Sequence, residues 1–224
     1  AGGPPGAARD VVVEILDERA TGDGIGGREE AAGREELARL GAVYIQIDAP
    51  HYPLLLDPET RAFYESRGWT LEEWLDLGIE LDNAVMGDIP GVTFGFHLCR
   101  GNQKSRWLVE GGYEAIAEPI FRGIRAHRLL LEYDDARSGS FEALSIIPED
   151  KMVVLGLVST KGSKLESVDS LVRRVEEAKL HCEVDRLVIS PQCGFATSVI
   201  GNALSEEDQQ RKLRRVVEAA GEIW

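Results

Sequence analysis

The sequence predicts an α/β fold built around a parallel β-sheet. From about residue 43 onward, short and nearly continuous apolar segments alternate with longer amphipathic segments. Strands that helices cover on both faces have this composition, because neither face meets water. In addition, residues with charged or metal-binding side chains lie at or shortly after the ends of four of the apolar segments. Active sites of parallel barrels form at the carboxyl ends of the strands, so this pattern favours a barrel-like arrangement.

Five apolar segments are predicted as strands because they are short, apolar and mostly rich in β-branched residues. They comprise residues 43–47, 92–96, 129–131, 152–158 and 187–189. Helical periodicity is found between them, at residues 71–77, 113–121 and 165–180. Ser205 is predicted to begin a last helix that extends toward Trp224, because a hydroxyl there can cap the first turn and three acidic residues follow it.

The first forty residues are less regular than the rest. Residues 9–16 are compatible with a strand or a helix, and residues 21–27 are a glycine-rich turn. The glycines lack the G-x-G-x-x-G spacing of a dinucleotide-binding loop, so a plain loop is expected rather than a phosphate-binding one. One domain over residues 1–224 is expected, although its N-terminal part is short for a complete barrel.

Composition and charge restrict the function. The chain has 224 residues, of which 43% are hydrophobic and 29% charged, and its formal net charge is −14. Binding to nucleic acid or to an anionic membrane surface is therefore not expected, because both require clustered Lys and Arg. No apolar segment reaches the roughly 18 residues that span a bilayer. Three widely spaced cysteines and the lack of a signal-peptide pattern favour the cytoplasm, where thiols serve metal or redox chemistry.

The candidate site lies at four predicted strand ends. Asp48 follows the first strand, His97 and Cys99 the second, Glu132 the third, and Cys193 the last. Imidazole, thiolate and carboxylate groups bind zinc, and three firm ligands plus one exchangeable position are typical of catalytic zinc. We therefore predict that His97, Cys99, Glu132 and Cys193 bind Zn²⁺, with Glu132 as the ligand that a substrate thiol displaces.

Simpler interpretations exist for each of these residues. A structural zinc that stabilises the barrel would use the same four ligands. Asp48 could cap the loop that follows it instead of binding a substrate. Cys182 is expected to be a small buried apolar residue, and the neighbouring His181 is given no role.

At these positions the chain resembles the cobalamin-independent methionine synthase family. The segment at residues 44–50 is similar to that family's Gln-Ile-Asp-Glu-Pro segment, and residues 96–102, 131–134 and 190–195 are similar to its three zinc-bearing segments. The resemblance extends from about residue 40 to the end of the chain. It implies a (β/α)₈ TIM-type barrel whose N-terminal part is incomplete in this sequence.

The resemblance also implies a reaction and a set of roles. His97, Cys99, Glu132 and Cys193 would bind zinc, and Asp48 would hold the amino group of homocysteine. A small-molecule donor would pass a methyl group to the zinc-activated thiolate of homocysteine, which gives methionine. The identity of the donor and the oligomeric state, a homo-oligomer included, are left open.

Two alternative functions would use the same four zinc ligands. The region from residue 99 to residue 134 also resembles relatives that alkylate coenzyme M with epoxides, which would make this chain a transferase acting on another small thiol. In that case Arg100, Arg106 and Arg137 could bind a sulfonate or carboxylate tail, or simply pair with surface acids. A degenerate barrel with a structural zinc is the other interpretation.

Three features depart from the family's pattern. Ala49 follows Asp48 where the family has glutamate. Residues 156–159 read Gly-Leu-Val-Ser where the family has Asp-x-His, so the family's proton-donating histidine is absent. The resemblance therefore does not imply that folate is the methyl donor. Residues 22–24 resemble the Asp-Gly of an early barrel strand, but the long insert that the family places before Tyr44 is missing.

Overall fold

The protein folds around one parallel sheet. The computed structural model describes residues 12–16 and 26–224. Six strands pair in the same order along the sheet as along the chain. They are β1 (Val12–Leu16), β2 (Tyr44–Asp48), β3 (Thr93–Leu98), β4 (Arg128–Glu132), β5 (Met152–Val158) and β6 (Leu187–Pro191).

Seven α-helices accompany the strands in the described part of the chain. They are α1 (Gly26–Arg39), α2 (His51–Leu54), α3 (Pro58–Ser66), α4 (Leu71–Met86), α5 (Glu114–Gly123), α6 (Val168–Ala178) and α7 (Glu206–Ile223). Short 3₁₀ turns occur at Ala136–Ser138, Glu142–Ile146 and Val184–Arg186. Across these described residues, no helix combines the length and apolar character that a membrane span requires.

The predicted parallel α/β architecture is confirmed. Sequential strand order with all neighbours parallel is the winding of a β/α barrel, and the described residues form a six-stranded portion of one. All five predicted strands are present as β2 to β6. The ambiguous segment at residues 9–16 contains strand β1, while residues 21–25 of the glycine-rich turn lie outside the described residues.

Local sequence explains where the helices begin. Ser205 is the N-cap of α7 and forms a reciprocal capping box with Asp208, as its position predicted. Thr70 and Glu73 form the same motif at the start of α4, which continues to Met86 and is therefore longer than predicted. The shorter helices α2 and α3 were not predicted, because neither has a long enough apolar periodicity.

Burial on both faces explains the near-continuous apolar sequence of β3 and β5, whereas β2, β4 and β6 leave alternate residues half-buried or exposed. In both β3 and β5, every residue except the first is buried. Phe96, Leu129 and Leu155 are each 0% exposed and pack with α5 and α6 residues such as Ile116 and Val175 in one core. This core fixes the strand ends on which the polar residues lie.

Gly156 of β5 permits a close approach of the chain that follows β6. A Cβ atom at this position would lie 2.6 Å from the Cα of Gln192 and 3.1 Å from the carbonyl oxygen of Leu131. Both contacts involve backbone atoms, which cannot move away without displacing a strand. Gly156 therefore allows the segment that carries Gln192 and Cys193 to cross the end of β5.

Replacing Gly156 with alanine is expected to destabilise the protein by about 1–3 kcal/mol, because the added methyl group overpacks this crossing. Gly162 provides the matched control, since a Cβ there meets no atom within 4 Å. Urea unfolding of both variants measures the effect. Equal unfolding free energies for the two variants would show that the crossing tolerates a side chain.

Candidate metal centre

Four potential metal ligands lie together at the carboxyl end of the sheet. One donor atom each from His97, Cys99, Glu132 and Cys193 falls within 4.8 Å of the others, and all four residues are buried. The two Sγ atoms are 3.7 Å apart. Nε2 of His97 lies 3.6 Å from Oε1 of Glu132.

These distances fit a tetrahedral zinc site. Zn–S bonds of about 2.3 Å place two ligand sulfurs about 3.8 Å apart, and Zn–N and Zn–O bonds of about 2.0–2.1 Å give an N–O separation of about 3.3–3.4 Å. Both observed separations agree with these values within a few tenths of an ångström. The sulfurs are also well beyond the bond length of about 2.05 Å in a disulfide, so both thiols are free to act as ligands.

Glu132 is held by the backbone and by Tyr113. The backbone N–H of Arg100 donates to Oε1 of Glu132 at 2.9 Å. The backbone N–H of Glu132 in turn donates to the Tyr113 hydroxyl at 3.0 Å, and that hydroxyl donates to the carbonyl of Leu98 at 3.3 Å. Tyr113 therefore joins the ends of β3 and β4, which carry three of the four ligands.

Asp48 lies behind the imidazole of His97. The two residues are register partners on β2 and β3. Oδ1 of Asp48 is 3.0 Å from Nδ1 of His97, which is close enough for an ion pair although the atoms are off the line of a hydrogen bond. A carboxylate at Nδ1 leaves Nε2 as the ligand nitrogen, and Nε2 is the atom that faces Glu132.

Cys193 is fixed by hydrogen bonds between three loops. Oε1 of Gln192 accepts from the backbone N–H of Thr160 at 3.0 Å and from its hydroxyl at 2.5 Å. The side-chain amide of Asn102 donates to the Thr160 hydroxyl and to the carbonyl of Gly194, both at 2.8 Å. The segments after β3, β5 and β6 are thereby joined on both sides of Cys193.

The sequence profile of the family described as "Cobalamin-independent synthase, Catalytic domain" matches residues 24–222. The chain belongs to this cobalamin-independent methionine synthase family. The membership that the sequence motifs predicted is thus confirmed. The zinc ligands and the substrate remain predictions, because the match concerns the domain as a whole.

Individual relatives agree with the family assignment. YxjG of Bacillus subtilis (strain 168), described as uncharacterized, is 44% identical over 186 residues, and YxjH of the same organism is 38% identical over the same length. Each match covers 82% of this chain and 49% of the relative, so the chain spans about half the length of these curated relatives. A crystal structure assigned as a vitamin-B12-independent methionine synthase from Listeria monocytogenes superimposes with a TM-score of 0.67 and 26% identity, covering 88% of this chain and 54% of that one.

The ionisable side chains of the buried cluster shift one another's pKa values. Burial disfavours a charged imidazole, but contacts with Asp48 and Glu132 outweigh it and raise the pKa of His97 well above its usual value. Burial would raise the pKa of Glu132, yet His97 and Lys161 hold that pKa below its usual value. The neighbouring Cys193 thiol, together with burial, raises the pKa of Cys99 well above that of a free thiol.

A cavity of about 270 Å³ opens onto the cluster. Its lining includes His97 and Cys193 together with Gln46 and Phe195. This volume suits a small molecule rather than a polymer. A larger surface groove of about 710 Å³ lies between α6 and α7 and includes none of the four candidate ligands.

Several residues have positions that the sequence did not indicate. Lys161, three residues after the end of β5, reaches Glu132 and was overlooked, although its place after a strand end was a usable signal. Arg100, a candidate for binding a substrate tail, is instead 1% exposed, with its guanidinium over the Tyr113 ring and bonded to the carbonyl of Gly111. Arg137 contacts Trp107 and nearby acids, whereas Cys182 lies in the core as expected.

The cluster predicts that zinc affinity depends steeply on pH. A metal must displace the protons of His97 and Cys99, whose pKa values are both raised, so acid competes with the metal. We expect affinity to fall at least about tenfold per pH unit from about pH 8 to about pH 6, which corresponds to one or more displaced protons. Competition with a chromophoric chelator measures this dependence. A constant affinity after correction for the chelator would contradict it.

Proposed function

We propose that this chain is a zinc-dependent methyltransferase that methylates the thiol of homocysteine to give methionine. In this proposal residues 1–224 form one zinc-binding domain. The observation that carries the proposal is the buried set of one imidazole, two thiols and one carboxylate beside a small cavity. Membership of the cobalamin-independent synthase family supports it. Bound zinc would supply a Lewis acid that lowers the pKa of a substrate thiol, which makes a thiolate available near neutral pH.

The protein residues divide into firm and exchangeable ligands in this proposal. His97 is oriented by Asp48, and Cys193 is fixed by the network around Gln192, so both would keep their positions during the reaction. The N–H of Gly101 lies 3.3 Å from Sγ of Cys99 and supports its negative charge. Glu132 would be the exchangeable ligand, because no hydrogen bond holds Oε2, whose charged neighbour Lys161 lies 3.6 Å away.

Asp48 is proposed to bind the amino group of homocysteine in addition to orienting His97. It is 5% exposed at the end of β2, beside a ligand that lines the cavity. A carboxylate there would recognise an ammonium group close to the thiol. Ala49, which takes the place of the family's glutamate, offers no second carboxylate, so Asp48 would act alone in this loop.

Zinc-edge X-ray absorption tests the ligand set and the thiol together. We expect the zinc-loaded protein to show two sulfur ligands and to gain a third on adding homocysteine. Cys193→Ser should bind zinc at least tenfold more weakly and lose turnover, while Cys182→Ala, a thiol outside the cluster, should behave as the native protein. A third sulfur only with coenzyme M would point to another thiol substrate, and no change with either thiol would indicate a structural zinc.

Replacing Asp48 with asparagine separates its two proposed contacts. Loss of a charged hydrogen bond to the substrate ammonium should weaken homocysteine binding about 10- to 100-fold. Calorimetry on zinc-loaded protein compares homocysteine with 3-mercaptopropionate, which lacks the amino group. An equal loss of affinity for both thiols, accompanied by weaker zinc binding, would mean that Asp48 only orients His97 and does not bind the amine.

A further inference from the structure

Lys161 and Glu132 present two buried, unsatisfied polar atoms to each other. Nζ of Lys161 lies 3.6 Å from Oε2 of Glu132, and the side chains are 8% and 0% exposed. Neither atom has a hydrogen-bond partner. Buried charged groups are normally both paired and hydrogen-bonded, so a pair that is close but not bonded needs an explanation.

The distance indicates that the two charged groups are close to each other but do not form a hydrogen bond. A charged N–H···O hydrogen bond measures about 2.7–2.9 Å, so a movement of less than about 1 Å by either side chain would complete it. The other oxygen of Glu132 is already occupied, because Oε1 accepts from the backbone of Arg100 and faces Nε2 of His97. Glu132 thus has one oxygen toward the ligand cluster and one toward Lys161.

Exchange of Glu132 for a substrate thiolate creates an electrostatic problem. The carboxylate would give up a divalent cation as its neighbour while it remains fully buried. A buried carboxylate without a positive partner is strongly disfavoured. Two nitrogens of the Arg100 guanidinium donate to Tyr113 and Gly111, and among the described residues no ion pair joins this guanidinium to Glu132, whereas the ammonium of Lys161 lies 3.6 Å from Oε2.

We propose that Lys161 is a positioning residue that captures the Glu132 carboxylate when a substrate thiolate takes its place among the metal ligands. This inference rests on the proposed function. In this step the S–H bond breaks and its proton leaves to solvent, the substrate sulfur would take the ligand position that a Glu132 oxygen gives up, and Oε2 forms a hydrogen bond with Nζ of Lys161. No other bond changes, and the buried carboxylate keeps a positive partner throughout. Lys161 therefore favours the thiol-bound state over the thiol-free state.

Comparison of zinc affinity with thiol affinity tests this role. Lys161→Met removes the ammonium but keeps the length of the side chain, and Lys161→Gln is a second neutral variant if the first folds poorly. We expect both to bind zinc as tightly as the native protein or more tightly, since the Lys161 ammonium then no longer competes with the metal for the Glu132 carboxylate. Binding of homocysteine to the zinc-loaded variants should weaken at least about tenfold. Lys161→Arg should restore thiol binding, because it retains the charge.

Lys164→Met is the matched control, since it makes the same chemical change at an exposed position of the same loop. It should leave both affinities unchanged. Chelator competition gives the zinc affinity, and the number of sulfur ligands from X-ray absorption, titrated with homocysteine, gives the thiol affinity. Native-like thiol binding by Lys161→Met, or an equal loss of zinc and thiol affinity, would overturn the capture role. Failure of the native protein itself to gain a sulfur ligand would instead overturn the proposed function.

Discussion

The site depends on the register in which the parallel strands from β2 to β6 pair. This register places Asp48 beside His97 and Glu132 beside Gly156, and it shifts between Gly156 and Val158, where β5 pairs with β6. The candidate ligands therefore lie together at the carboxyl edge of the sheet. A slip of one residue on β3 would turn His97 to the other face and separate it from Asp48 and Glu132.

Glu132 is the electrostatic centre of this arrangement. Burial would raise its pKa, but His97 and Lys161 keep that pKa low, and hydrogen bonds from Arg100 and to Tyr113 hold its Oε1 and its backbone N–H while Oε2 has none. Cys193, by contrast, is surrounded by hydrogen-bonded amide and hydroxyl groups of the neighbouring loops. In the proposed function, one exchangeable carboxylate and three ligands with firmer supports would provide what ligand exchange at a catalytic metal requires.

The loop after β5 departs from the family's pattern at this edge of the sheet. The four strand-end segments resemble the family's motifs, whereas residues 156–159 read Gly-Leu-Val-Ser in place of its Asp-x-His, and Thr160 and Lys161 follow them. Thr160 supports Gln192, and Lys161 approaches Glu132. This loop therefore contributes to the position of the candidate ligands and provides no imidazole for proton transfer.

The sequence by itself determined the parallel α/β architecture, the five strands from β2 to β6 and the four residues that converge as candidate ligands. These features are local: an apolar strand covered on both faces has a recognisable composition, and the strand-end rule needs only the residue that follows it. Only the tertiary structure decided which side chain lies against which. The contact of Asp48 with His97, the bridge through Tyr113, the close crossing at Gly156 and the approach of Lys161 to Glu132 join residues far apart in the chain. Such pairings depend on strand register, loop path and packing to within about 1 Å, which composition and periodicity do not encode.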